Sequence, residues 1–297
     1  MKNRASIPPL SESGLTIMEM MVAMLIATIL LAGLVTIFAS MRRSFSATQA
    51  LNQLVNQQQF ASTELTNAIS SAGYYPASNR TIRGRYPTVD DAFPVDQTLS
   101  AGGKTIDFAT SGQFIYGTGG TGTNANDMVA VRMINIKGTT SQGPYDCLGS
   151  PGTATASRAF SVFWVDTNKN QLMCATQNYT GGQPLVGGDA LTGTATGLFG
   201  GVSSLTAVYG VDTNRDGSVN RFMNATTLNN DKICPDVATG KGNTGSCWPY
   251  VRSVQFKLGF ITSLNGGKTP IYLTRTVRLN NTNGMTLSSM PNVIVGN

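Results

Sequence analysis

The chain has 297 residues and a net charge of +6, with charged residues at 12% against an ordinary ~25%. It contains no histidine, which removes His-based triads and His-bearing metal centres. Beyond Arg42-Arg43 there is no Lys/Arg run, so the positive balance does not describe dedicated nucleic-acid binding. Abundant Gly and a polar complement of Thr, Ser and Asn fit an exported assembly protein better than a cytosolic enzyme.

Residues 1–14 form a short polar, basic leader that ends in Gly14. From Met20 to Met41 there are 22 residues without a charge, enough at ~1.5 Å per residue to span a ~30 Å hydrocarbon core. The 15–42 segment is therefore a candidate membrane span. One acid, Glu19, sits near its start, and a carboxylate in lipid costs on the order of 2 to 3 kcal/mol. A cut after Gly14 would explain it, because Leu15 would become a positively charged N-terminus that Glu19 is placed to pair with. An ordinary secretory signal has a shorter apolar core and an Ala-x-Ala-like site. A generic signal anchor leaves both Gly14 and Glu19 without a reason. Lys2 and Arg4 on one flank match Arg42 and Arg43 on the other, so charge does not set the orientation.

The 43–75 segment continues as an amphipathic helix. Leu51, Val55, Gln58, Ala61, Leu65, Ile69 and Ala72 recur at three- and four-residue steps, with Leu54 and Ala68 widening the stripe. Gly73 and then Pro76 supply a stop, with Tyr74 and Tyr75 placed to pack beneath a domain.

Residues 76–297 read as extended structure. Strands are expected at 128–136, 159–165, 172–175, 202–211, 251–262 and 271–279, where β-branched and aromatic residues alternate. Gly/Thr/Ser/Asn tracts such as 111–126 and 192–201 read as loops between them. The expected fold class is α+β: a long N-terminal helix whose second half packs on an antiparallel sheet in one head domain.

Four cysteines, Cys147, Cys174, Cys234 and Cys247, form no CxxC pair. An even count in an exported chain reads as two disulfides with three connectivities, of which the neighbour pairs Cys147–Cys174 and Cys234–Cys247 are the expected ones. Free buried thiols are the alternative. The Asp212 turn has calcium-loop spacing, with Asp212, Asn214, Asp216, Ser218 and Asn220 as candidate ligands and Gly217 at the tight turn. Its twelfth position is Met223 where a bidentate Glu is expected, leaving Asp231 as a substitute donor; the competing reading, an Asx-rich hairpin that needs no ion, is the preferred one. There is no GxSxG and no recognisable catalytic pair of acids, so an enzyme is not expected.

Gly14, Leu15 and Glu19, followed by Met20-Met21-Val22-Ala23, resemble the N-terminus of type IV pilins and pseudopilins, with Leu15 where Phe is usual. Ala72-Gly73-Tyr74-Tyr75, the stretch VYGVDTNRDGSVNRF and the run from Leu273 to Asn280 are similar to PilW-type minor pilins. The resemblance implies cleavage by a prepilin peptidase between Gly14 and Leu15, N-methylation of Leu15, and an assembly role for Glu19. It also implies a leader in the cytoplasm, a head in the periplasm, and delivery to the tip of an extracellular pilus. Implied partners are other minor pilins, the major pilin, the inner-membrane assembly platform and a tip adhesin, with a part in twitching motility. A type II secretion pseudopilin and a membrane-anchored adhesin are the alternatives.

Overall fold

A computed structural model describes residues 14, 16–74, 93–95, 99–101, 103–120, 126–135, 144–149, 157–180, 195–235, 245–262 and 269–279. The chain divides into two units at Asn52/Gln53. Both share helix α1 (Ile17–Ser70).

In the first unit the helix carries its apolar side chains outward on every face, and none of the hydrophobic span is buried. It is long and apolar enough to cross a membrane. Its few hydroxyls are turned back on the helix: Thr28 Oγ1 donates to the Leu25 carbonyl at 2.9 Å and Thr36 Oγ1 to the Gly33 carbonyl at 2.7 Å. Such back-bonding lowers the cost of placing these two hydroxyls in an apolar environment.

In the second unit α1 buries Leu54, Ala61, Ser62, Leu65, Ala68 and Ile69. Full burial of Leu65 or Ile69 stabilises by roughly 1.5 to 3 kcal/mol each. The expected stripe begins too early in sequence. Leu51 falls in the first unit and is half exposed, and Val55, rotated by one residue from buried Leu54, is 40% exposed. The helix stops where Gly73 turns at φ 74° and its N–H donates to the Arg132 carbonyl at 2.9 Å. A Cβ there would meet the Phe114 ring at 2.8 Å, so glycine is required twice over. Tyr75 and Pro76 lie outside the described residues.

The strands are β1 (Leu99–Ala101), β2 (Lys104–Ile106), β3 (Ile115–Thr118), β4 (Met128–Asn135), β5 (Ser157–Asp166), β6 (Gln171–Thr180), β7 (Thr196–Gly200), β8 (Val202–Val211), β9 (Arg221–Asn224), β10 (Val251–Phe260) and β11 (Ile271–Arg278). A short helix α2 (Ala225–Asn230) and a 3-10 turn (Trp248–Tyr250) lie between β9 and β10. Pairing is antiparallel throughout, as the fold class requires, but it is shared among a five-stranded sheet β3-β4-β5-β6-β7, a four-stranded sheet β11-β10-β8-β9 and the hairpin β1-β2. Gly201, at φ 78°, lets the chain step from β7 in one sheet to β8 in the other.

Two strands, β3 and β7, occupy tracts that read as loops. Both are edge strands whose glycines answer to neighbours: a Cβ on Gly117 would strike the Tyr209 hydroxyl, and one on Gly197 the Gln171 amide. Their extended form comes from pairing with β4 and β6 rather than from their own propensity.

The five-stranded sheet is covered on both faces. Val129, Val131 and Met133 of β4 join α1 and the four-stranded sheet in the main core. Met128, Ala130, Phe160 and Val162 point the other way, onto Leu99, Ala101, Ile106 and Phe108. This is the period-two alternation of a strand with an apolar layer on each side.

Candidate functional site

At the start of α1, Thr16 and Glu19 form a capping box. The Glu19 N–H donates to Thr16 Oγ1 at 3.4 Å, while Glu19 Oε2 accepts from the Thr16 N–H at 3.0 Å and from its hydroxyl at 3.2 Å. Two of the otherwise orphaned donors of the first turn are thereby satisfied. Glu19 thus has a local structural role that the sequence reading did not assign, although the Thr-x-x-Glu spacing is its signature. Gly14 is exposed, and nothing lies within 4 Å of the position a Cβ would take. Packing gives no reason for glycine at this site. Leu15 lies outside the described residues.

The Asp212 turn brings its predicted residues together, but each is occupied by another. The buried Asp212 carboxylate accepts from the N–H groups of Asp216 at 3.1 Å and Gly217 at 2.9 Å, and from Arg252 Nη2 at 3.2 Å. Asn214 donates to Asp216 Oδ2 at 3.0 Å and accepts from Asn220 Nδ2 at 2.9 Å, while Asn220 Oδ1 takes Thr213 N–H at 3.1 Å. Ser218 contributes its N–H to Asp216 Oδ1 at 2.8 Å. The Ser218 N–H and the Asn214 amide hold the Asp216 carboxyl below the usual carboxylate range.

These residues do not fit a resident calcium ion. A guanidinium already stands on the first ligand, and Met223 at the twelfth position belongs to the core and offers no oxygen. The loop is an Asx turn fixed by its own amides. Arg252, which neutralises Asp212, sits in β10 with the polar residues Ser253, Gln255 and Lys257, so its setting in the sequence gives no sign that its charge turns inward.

Cys147 and Cys174 are disulfide-bonded with Cα atoms 6.5 Å apart, and Cys234 and Cys247 with Cα atoms 5.0 Å apart. The first bridge ties the 144–149 segment to β6; the second holds the segment leading into Trp248. Trp248 Nε1 donates to Asn229 Oδ1 at 2.9 Å, and Asn229 Nδ2 donates to the Gly117 carbonyl at 3.2 Å, so α2, β3 and the 3-10 turn are linked through one amide.

Beside the first bridge, α1 and the 144–149 segment enclose a cleft of about 680 Å³ lined by Glu64, Asn67, Tyr145, Asp146, Leu148 and Leu198. Partial burial, reinforced by the Asp146 charge, holds the Glu64 carboxyl above its usual range. On the opposite layer the fully buried Arg132 lies over the rings of Phe108 at 4.5 Å and Phe93 at 5.4 Å. Its guanidinium donates to the carbonyls of Gln113, of Pro94 at 2.8 Å and of Phe93 at 3.1 Å. Charge-assisted bonds to backbone satisfy a buried cation and pin the 93–95 segment to the sheet. Among the described residues no cluster of three His, Cys, Asp or Glu side chains is placed to hold a metal.

Residues 162–282 match the model of a family described as Type IV Pilus-assembly protein W. The match runs from within β5 past β11 and covers about two-fifths of the chain. Over that stretch the chain is similar to a type IV pilus assembly family. No curated protein and no solved structure matches.

Proposed function

We propose that this chain is a minor pilin that primes assembly of a type IV pilus and sits with other minor pilins at its tip. The observation that carries the reading is the joint presence of two separate signals. One is the Gly14–Glu19 start of a fully exposed apolar helix; the other is the family match, which begins far beyond that helix. Neither signal depends on the other. The match to a pilus assembly family also favours the pilus over a secretion system.

In this role the chain is structural, not catalytic. A peptidase cuts between Gly14 and Leu15, the new amine is methylated, and the 15–42 segment holds the subunit in the inner membrane with its head in the periplasm. During assembly the exposed helix packs among those of the major and minor pilins, exchanging lipid contacts for close packing with other helices. Glu19 then meets the amine of a neighbouring subunit, a charge-assisted contact that sets axial register.

Processing and incorporation test the proposal separately. Intact mass of the wild-type chain is expected to show Leu15 first, and Gly14→Arg to leave it uncut; a chain that begins at Met1 or near Ala39 overturns the reading. Glu19→Gln keeps a side chain able to serve the capping box but removes the charge. That variant is expected to insert and be cut, yet to be missing from sheared filaments. Normal recovery of Glu19→Gln in filaments, with loss of Glu19→Leu only, would assign Glu19 to capping alone.

A further inference from the structure

Among the described residues strand β11 is the longest sheet edge: its eight residues compare with four in β3, five in β7 and four in β9. Its register with β10 runs unbroken from Ser253↔Arg278 to Phe260↔Ile271, and it contains neither proline nor bulge. The Leu279 N–H donates to the Arg252 carbonyl at 2.9 Å. That bond fixes the alternation. Residues 277, 275, 273 and 271 turn their backbone groups toward β10, and Tyr272, Thr274, Thr276 and Arg278 turn theirs away. No described residue pairs with that outer edge. Such an edge is a template for another strand unless charges, proline or a bulge blunt it.

The two faces of β11 differ in chemistry. Ile271, Leu273, Arg275 and Val277 lie on the core side, and the first three are left partly or fully exposed where the core runs out. Tyr272, Thr274, Thr276 and Arg278 lie on the outer side beside Lys257, whose Nζ stands 4.0 Å from the Tyr272 ring centroid. On that outer face of β8, β10 and β11 the described residues include two cations and no acid.

We propose that the β11 edge accepts an extended segment of another protein that alternates apolar and acidic residues. Its backbone would pair with Tyr272, Thr274, Thr276 and Arg278. Its apolar side chains would prolong the core over Ile271 and Leu273, and its carboxylates would face Lys257 and Arg278. Main-chain hydrogen bonds supply affinity in this mode of recognition, and alternate side chains supply specificity. The inference rests on the edge itself and not on the pilus reading.

The test uses the full-length chain in detergent and a synthetic peptide of alternating Val and Glu matched to the eight residues of β11, with a Val/Lys peptide as control. The acidic peptide is expected to bind at least about tenfold more tightly than the basic one, because like charges set opposite each other cost several kcal/mol. Binding is expected to slow amide exchange at Tyr272, Thr274, Thr276 and Arg278 and to leave the β10-facing amides unchanged. Thr274→Pro removes an outward N–H only, a substitution edge strands tolerate. It is expected to keep the thermal midpoint and lose the peptide, while Lys257→Glu is expected to reverse the preference between peptides. Equal binding of both peptides, no binding of either, or outward amides already protected in the free chain would overturn the proposal.

Discussion

The Asp212 carboxylate and the Arg252 guanidinium, 40 residues apart, meet inside the head: Nη2 and Nε approach the same Oδ2 at 3.2 and 3.3 Å. Asp212 is fully buried and the Arg252 side chain is 7% exposed. The same carboxylate closes the loop after β8 through two backbone N–H groups, so one residue neutralises a buried cation and shapes a turn.

Removing one member of a buried pair strands the other, with a typical penalty of about 3 to 5 kcal/mol. Asp212→Ala is therefore expected to cost stability in that range, read by denaturant unfolding of the full-length chain in detergent. Calcium or a chelator is expected to leave the wild-type thermal midpoint unchanged. A calcium-dependent rise that Asp212→Ala abolishes would restore the metal reading of the loop.

Glu64 gives a pH dependence whose sign can be worked out. Its folded-state pKa is raised above the ordinary value near 4.5, so the fold binds the proton more tightly than the unfolded chain does. Below that value the group has no net effect. As pH rises from there to the raised folded value, the cost of ionising this partly buried group, with Asp146 beside it, builds up and destabilises the head. Glu64→Gln is expected to raise the thermal midpoint at pH 7 and to make no difference near pH 3, where the group is protonated in both states. Scanning calorimetry at the two pH values checks it, and an equal shift at both would refute the assignment.

Gly117 and Tyr209 make a paired test of packing. A Cβ at Gly117 would lie 2.1 Å from the Tyr209 hydroxyl and 2.8 Å from Cζ. Gly117→Ala is therefore expected to cost about 1 to 3 kcal/mol through overpacking. The Tyr209 hydroxyl is buried with no hydrogen-bond partner among the described residues, and burial drives its pKa up. Tyr209→Phe is expected to be neutral or stabilising, since removing an unsatisfied buried hydroxyl removes a desolvation penalty. Urea unfolding of both variants distinguishes the effects.

The Cys234–Cys247 bridge closes a short loop ahead of Trp248. In the chain-entropy model such a link is worth roughly 3 kcal/mol. Replacing both cysteines by serine is expected to lower stability by about that amount and to shift Trp248 fluorescence as the Tyr209–Trp248 edge contact, 4.9 Å between centroids, loosens. An unchanged unfolding midpoint and spectrum would show that the bridge carries no load.

What could be read from the chain followed how local each determinant is. The helix from Ile17 and strands such as 202–211 announce themselves because their periodicity and β-branched content act within the segment. β3 and β7 do not, since Gly117 and Gly197 answer to Tyr209 and Gln171, residues far off or on another strand. The Asp212 turn shows the same limit at a candidate site. Its spacing admits an ion, and only the folded position of Arg252 reveals that the charge is already met from within. The capping of α1 by Thr16 and Glu19 is equally local, and the Thr-x-x-Glu spacing carries it, but the sequence reading gave Glu19 an assembly role instead.

The unequal cover of the two sheets divides the head by how freely it can vary. Alternate residues in β4 and β5 press on one of two apolar layers, so drift in these strands is checked by packing on both sides. On the outer side of β8, β10 and β11, side chains such as Thr206, Lys257, Thr274 and Thr276 face outward and carry none of the core. Lineages under pressure to alter their surface can rewrite positions such as Thr206 while keeping the same scaffold, and sequence divergence among relatives should collect there before it reaches β4 and β5, with Lys257 and Arg278 changing only together with the partner they meet.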